Sequence, residues 1–280
     1  MKILITGAEG QLAKCVQAAN TKHDLILLSK SDLNVENEAE VFDTCIKYQP
    51  DIIFHFASLT KGDVCAANPG KAYDVNVNGT KNIVFACVKN DIPLLLVSTN
   101  EVFDGEKGKN YTESDSPNPK TIAGKTKYLS EELVRLYLKK YFIVRTMWLY
   151  SEWSDNFVQS IIRIARTKES IDLTEDEIGS PTNSLDLAKA IYELINTKRY
   201  GTYHIANMGS VSRLEFGRFV LNKLNLLTKV KVHPVPLSSF RRLSKPPLYS
   251  SLECKKINSI GISLRTWKAA LGDFLDQHKL

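Results

Sequence analysis

Two rhythms of apolar and polar positions alternate along the first half of the chain. Short apolar runs stand at Lys2–Thr6, Leu25–Leu28, Ile52–Phe56, Leu94–Ser98 and Phe142–Arg145, and their brevity predicts strands. Between them, Gln11–Thr21, Glu36–Tyr48, Pro69–Lys89 and Gly124–Tyr141 carry apolar residues at helical spacing. Such alternation predicts parallel strands joined by crossover helices. Leu94-Leu95-Leu96-Val97 has no polar face, which suits a sheet covered on both sides. The expected fold class is therefore α/β, a Rossmann-type doubly wound parallel sheet. After about residue 150 the rhythm changes, and Pro181, Pro234, Pro236, Pro246 and Pro247 interrupt shorter elements.

The first strand runs into Gly7-Ala8-Glu9-Gly10-Gln11-Leu12-Ala13. Small residues between a strand and a helix let backbone N–H groups approach a pyrophosphate at the helix N-terminus, so Gly7, Gly10, Gln11 and Leu12 are candidate cofactor residues. The same turn also serves a ligand-free connection, and its place after the opening strand favours the ligand. At the end of the second strand, where an NAD site carries an acid for the ribose 2′-hydroxyl, this chain has Ser29-Lys30. That points to NADP, with NAD left open by Asp32 two positions on. We expect residues 1–150 to form an NAD(P)-binding Rossmann domain, the chain to return to it around 183–205, and residues 151–280 to be mainly a substrate-binding portion.

Composition narrows the partners. With 280 residues and 43% hydrophobic content the chain can bury a full core. No run approaches the roughly 18 apolar residues of a membrane helix, and Met1–Gly7 lacks the apolar stretch of a secretory signal. A cytoplasmic protein without a membrane partner is expected. Five cysteines, an odd number without a Cys-x-x-Cys or a His pairing, predict packing residues and neither a disulfide framework nor a metal site. The net charge of +6 is carried by scattered basic pairs without an aromatic stripe, so no nucleic acid is expected; a nucleotide ligand needs only a few cations.

Ordered segments along the whole chain carry a family resemblance. They are Met1–Gly7 with Gly10-Gln11-Leu12, Asp32-Leu33-Asn34-Val35, Pro50-Asp51-Ile52-Ile53, Ser98-Thr99-Asn100-Glu101-Val102-Phe103-Asp104-Gly105 and Gly124-Lys125-Thr126-Lys127. Arg145-Thr146-Met147-Trp148-Leu149-Tyr150, Asn156-Phe157-Val158 and Gly179-Ser180-Pro181-Thr182 complete the set. Together they resemble the dTDP-4-dehydrorhamnose reductase family of extended short-chain dehydrogenases/reductases, within the NAD-dependent epimerase/dehydratase superfamily. The resemblance implies a nucleotide-sugar substrate, a nicotinamide cofactor and NAD(P)H-dependent reduction of a 4-keto-6-deoxy sugar nucleotide for polysaccharide biosynthesis; relatives are commonly homodimers. By position, Asn34, Val35, Phe56, Ala57, Ser58, Asn76 and Ser98 fall around the cofactor, and Trp148 and Asn156 face the sugar nucleotide. A core indole for Trp148 and a helix-start amide for Asn156 stay open as structural readings.

The resemblance breaks where the chemistry sits. The family's catalytic set is a Ser/Thr, a Tyr and a Lys, with Tyr four residues before Lys on one helical face. Thr99 and Lys127 are present, but the Tyr position is Ala123, and Glu113, Asp115, Pro119 and Gly124 keep the alignment in register. The phenol protonates the carbonyl oxygen as hydride arrives, while the lysine lowers its pKa and grips the nicotinamide ribose. Loss of such an acid is worth about 10²–10⁴ in rate, roughly 3–5 kcal/mol. Tyr128 neighbours Lys127 and points about 100° away. Thr99-Asn100-Glu101 replaces the family's Thr-Asp-Tyr, while related 4,6-dehydratases carry Thr-Asp-Glu there. If buried near substrate, Glu101 has a raised pKa and can stand in for the phenol; an exposed glutamate is the structural alternative. Asn100 and Ala123 join Thr99 and Glu101 as candidate substrate contacts. Three functions follow: a reductase with an unusual acid, a non-catalytic NADP-binding protein resembling the regulatory β subunit of methionine adenosyltransferase, and a dehydratase or epimerase using Glu101.

Overall fold

The computed structural model describes residues 1–277. In chain order the first part holds β1 (Lys2–Thr6), α1 (Gln11–Ala19), β2 (Asp24–Leu28), α2 (Glu38–Tyr48), β3 (Ile52–His55), α3 (Gly62–Ala67), α4 (Pro69–Tyr73), α5 (Gly79–Asn90), β4 (Leu94–Thr99), α6 (Ile122–Tyr137) and β5 (Tyr141–Thr146). Then follow β6 (Leu149–Tyr150), α7 (Phe157–Thr167), β7 (Ser170–Thr174), β8 (Ile178–Gly179), β9 (Thr182–Asn183), α8 (Ser184–Thr197) and β10 (Gly201–His204). The chain ends with β11 (Val211–Ser212), α9 (Arg213–Lys223), β12 (Lys231–Val235), α10 (Lys255–Ser259) and α11 (Trp267–Gln277).

Six strands form one parallel sheet in the order β10-β5-β4-β3-β1-β2. Alternation along β1 decides how it is covered. Ile3 and Ile5 pack with Leu12, Val16, Leu187 and Ile191 under α1 and α8, while Leu4 packs with Val41, Ile83 and Val84 under α2 and α5. In β4, Leu95 joins the first core and Leu94 and Leu96 the second, which is why that strand shows no polar face. A third core joins Val158 and Ile161 of α7 to Phe216 and Val220 of α9 and Leu271 of α11. Next to it lie three two-stranded pairings, β7 with β12, β8 with β11 and β6 with β9.

Two helices differ from their expected extents. The single helix expected over Pro69–Lys89 is interrupted by a π-helical turn at Asp74–Asn78 and preceded by α3. The reason is polar: the Asn76 carbonyl accepts from Thr80 Oγ1 over 2.5 Å and from Ser130 Oγ over 2.8 Å, which draws it away from a regular helical partner. Helix α6 starts two residues before Gly124, because Thr121 Oγ1 caps it by accepting from the Gly124 N–H over 2.9 Å. It stops at Tyr137, since Tyr141 already pairs with Leu94 in the sheet.

Because β2 lies on one side of β1 and β3 on the other, successive connections leave β1 in opposite directions. A crevice opens at the carboxyl ends of those strands, the place where parallel sheets bind ligands. Among the described residues no helix is long and apolar enough to cross a membrane. All five cysteines are free thiols.

Candidate functional site

Gly7 follows β1 with φ +71°, and a Cβ there would stand 2.7 Å from the Ala57 nitrogen, so the chain leaving β3 runs directly across the glycine. Gly10 is the N-cap of α1 and offers no side-chain cap, which leaves the first-turn N–H groups to an outside acceptor. A dinucleotide pyrophosphate fits this bare helix start. Leu12 anchors the turn in the core beneath. Gln11 is held on both sides, donating to Ser184 Oγ over 2.9 Å and accepting from Ser154 Oγ.

Of the other expected cofactor residues, Phe56, Ser58 and Ser98 line the same cleft. Ala57 donates its N–H to Thr6 Oγ1 over 3.2 Å. At the end of β2 the Asp32 carboxylate accepts from the Ser29 N–H and hydroxyl over 2.9 and 2.6 Å, which holds its pKa below the usual range, and Lys30 is exposed. Asn34 and Val35 build the turn after it: Asn34 Oδ1 accepts from Glu36 N–H, and the Val35 carbonyl accepts from Asn82 over 3.0 Å. Asn76 is buried as a clamp, bonding Leu59 N–H over 2.7 Å, Leu59 carbonyl over 3.0 Å and Thr126 Oγ1 over 2.9 Å.

His55, which the sequence reading passed over, ties this region together. Thr80 Oγ1 donates to the Asn76 carbonyl and so must accept from His55 Nε2 (3.2 Å); Nδ1 then accepts from Thr6 Oγ1 (2.8 Å). Burial drives the imidazole pKa down to about 3, aided by the Lys127 charge, so the ring is neutral and this tautomer holds. A buried chain of hydrogen bonds thus fixes the end of β1 to the π turn and, through Asn76, to α6.

The cleft measures about 690 Å³ and joins the α1 start to Thr99, Asn100, Glu101, Ala123 and Lys127. Lys127 is buried and donates from Nζ to the Val97 carbonyl over 2.9 Å. Burial pulls its pKa down to about 8, against the opposing pull of Glu131. That glutamate, one turn along α6, takes Arg145 in a two-pronged ion pair of 2.9 and 2.7 Å. Thr99 Oγ1 accepts from the Glu101 N–H over 3.2 Å and donates to Asn100 Oδ1 over 3.1 Å, while Asn100 Nδ2 donates to Ser250 over 2.7 Å. Glu101 Oε2 accepts from Thr121 Oγ1 over 2.6 Å. Its pKa is raised by burial first and by the Glu177 charge, with the Thr121 bond opposing. Ala123 lines the cleft from a small apolar patch with Cys65 and Ala72. Tyr128 packs against the Val102, Phe103 and Tyr111 cluster and is no part of the cleft lining.

On the far wall Asn156 is the helix-start amide, capping α7 by accepting from Val158 and Gln159 N–H, and it also lines the cleft. Trp148 also lines the cleft, at a left-handed φ of +47°. Among the lining residues that escaped sequence reasoning are Thr146, whose buried Oγ1 has no partner among the described residues, and the ion pair of Glu177 with Arg213. Thr146 lay inside a quoted segment without a role. Arg213 left one signal, a cation directly after Ser212 inside the Ser212-x-x-Glu215 capping box, where a helix start favours acids.

Comparison with known proteins bears on this geometry. The model of the RmlD substrate binding domain family matches residues 1–280. The chain is 34% identical to the spore coat polysaccharide biosynthesis protein SpsK of Bacillus subtilis strain 168, covering 99% of this chain and 97% of that one. It is 31% identical to a dTDP-4-dehydrorhamnose reductase of Aggregatibacter actinomycetemcomitans, over 96% and 97%. Among solved structures, the dTDP-4-dehydrorhamnose reductase of Bacillus anthracis strain Ames in complex with NADP superposes with a TM-score of 0.95 at 35% identity, over 99% of each chain.

Proposed function

The chain belongs to the RmlD substrate binding domain family, and from that premise we propose that it is an NADPH-dependent reductase of a 4-keto-6-deoxy sugar nucleotide, with dTDP-4-dehydrorhamnose the substrate to try first. One observation carries the reading: a single cleft connects the bare start of α1 to Thr99, Glu101 and Lys127. NADP is the cofactor that relatives point to, and its reduced form supplies the hydride when bound. Ser29 and Lys30 after β2 are the residues proposed to meet its 2′-phosphate.

The chain's own groups do the rest. Lys127, anchored on the Val97 carbonyl, offers an ammonium to the ribose hydroxyls. Thr99 turns its hydroxyl from Asn100 to the substrate oxygen. With alanine at 123, the proton for that oxygen comes from Glu101, whose pKa is raised towards the protonated form. Trp148 and Asn156 hold the sugar nucleotide on the opposite wall. The test is loss of NADPH absorbance with dTDP-4-dehydrorhamnose; consumption supports the reading.

One observation favours a second reading, an NADP-binding protein without turnover: Ala123 sits in an apolar patch that supplies no acid. Tight NADPH binding without consumption across a panel of sugar nucleotides decides for it. We place the activity in the cytoplasm. A second copy of the chain is the partner proposed for the exposed Phe85 and Val88 of α5 and Leu129 and Leu136 of α6; light scattering at working concentration tests that.

A further inference from the structure

Arg213 is the first residue of α9, an unfavourable place for a cation beside the positive end of a helix. The rest of the site holds it there. Its backbone N–H donates to the Glu177 carbonyl over 3.0 Å, and its Nε donates to Glu177 Oε1 over 3.2 Å. The guanidinium carbon lies 3.5 Å from the centre of the Trp148 ring and 4.5 Å from that of Phe157. Trp148 in turn is fixed by its left-handed backbone and by Gly179, where a Cβ would come within 2.8 Å of the indole. Strain of this kind persists only where surrounding structure enforces it, and it gathers at ligand sites.

The two terminal nitrogens of this fixed fork carry four N–H donors that no described residue accepts, although the side chain is only 17% exposed. They keep contact with the open cleft, so the stem is buried and stacked while the donor end of the fork is presented to whatever enters. We infer that Arg213 is a ligand-binding group whose terminal N–H pair takes an oxyanion of the nucleotide-sugar ligand within the cleft. The inference rests on the proposed nucleotide-sugar reading and adds to it the group that fixes the ligand's charge. A planar fork matches a phosphate or a carboxylate by two parallel hydrogen bonds, which a single sugar hydroxyl does not satisfy. Burial and the neighbouring Arg242 both hold the Arg213 pKa below its ordinary value, and a bound anion opposes both effects. Two sources share this chemistry, the diphosphate and an acidic substituent on the sugar.

Calorimetric titration of the full chain with dTDP, dTDP-glucose and dTDP-glucuronate separates them, using wild type, Arg213→Gln, Arg213→Lys and the double variant Arg213→Gln/Glu177→Gln. A diphosphate contact predicts that Arg213→Gln weakens all three by about tenfold or more, with Lys intermediate and NADPH affinity unchanged. A sugar carboxylate predicts that loss for dTDP-glucuronate alone. Equal affinities in wild type and Arg213→Gln overturn the inference and leave the reductase reading standing; a wild type that binds none of the three overturns both. The double variant removes the carboxylate that Arg213→Gln strands. Binding restored to wild-type strength there overturns the inference by assigning the loss to Glu177.

Discussion

The Thr121 hydroxyl donates to Glu101 Oε2 over 2.6 Å while it accepts from the Gly124 N–H over 2.9 Å. One side chain thus caps α6 and holds the carboxyl that follows β4, so the helix that carries Lys127 into the cleft also sets Glu101. Oε1 has no hydrogen-bond partner among the described residues, and Glu101 lines the cleft.

Glu101→Gln keeps the shape and the Thr121 contact but removes the proton. It should lower kcat by about 10²–10⁴ and leave NADPH affinity unchanged. In wild type the rate should fall with rising pH through a midpoint above the usual carboxylate range, because the protonated form is the active one. Steady-state pH profiles of the two proteins check both statements, since the variant should lose that limb.

Lys127 has a folded pKa of about 8 against 10.5 for a free lysine. NADPH affinity of the free protein should decline as pH rises through about 8, where the ammonium is lost, and Lys127→Met should bind weakly without that decline. The sign for stability is opposite. Between about 8 and 10.5 the unfolded chain holds more protons at this site, so this group's contribution rises with pH across that window. Fluorescence titration and urea unfolding at stepped pH measure the two effects.

Gly124→Ala sets two effects against each other. Alanine favours a helix over glycine by about 1 kcal/mol, but its Cβ would lie 2.1 Å from the Glu101 carbonyl oxygen, which is backbone and cannot swing away. Overpacking of this kind costs about 1–3 kcal/mol. Net destabilisation is expected, seen as a lower urea midpoint, together with reduced turnover because the Glu101 turn is displaced.

Ala123→Tyr places a phenol one helical turn before Lys127 on the cleft wall. In a Glu101→Gln background it should restore turnover by tenfold or more, since a positioned acid is worth about 10²–10⁴. A stability loss of about 1–3 kcal/mol accompanies it if the ring presses on Cys65 and Ala72.

Much of the sheet was legible because burial on both faces writes uninterrupted apolar strands such as Leu94–Val97, and because Gly7 and Gly10 mark the turn where the chain leaving β3 crosses close and α1 begins bare. Thr99, Glu101, Ala123 and Lys127 converge on one cleft, as their places at and just after the end of β4 and on α6 implied. The π turn was not legible, since it depends on two hydroxyls, Thr80 and Ser130, the second of them 54 positions from Asn76. His55 read as one more strand residue, and only tertiary contact shows it relaying hydrogen bonds between Thr6 and Thr80. Arg213 and Glu177 lie 36 positions apart and meet only because β11 pairs with β8.

The most direct test of the account follows the hydride itself. NADPH deuterated at the transferred nicotinamide C4 position is incubated with the protein and dTDP-4-dehydrorhamnose, and the sugar product is weighed by mass spectrometry. The account predicts a reduced sugar nucleotide carrying one deuterium at C4, and its loss in Glu101→Gln. Unreduced substrate after prolonged incubation with NADPH-saturated wild type contradicts it.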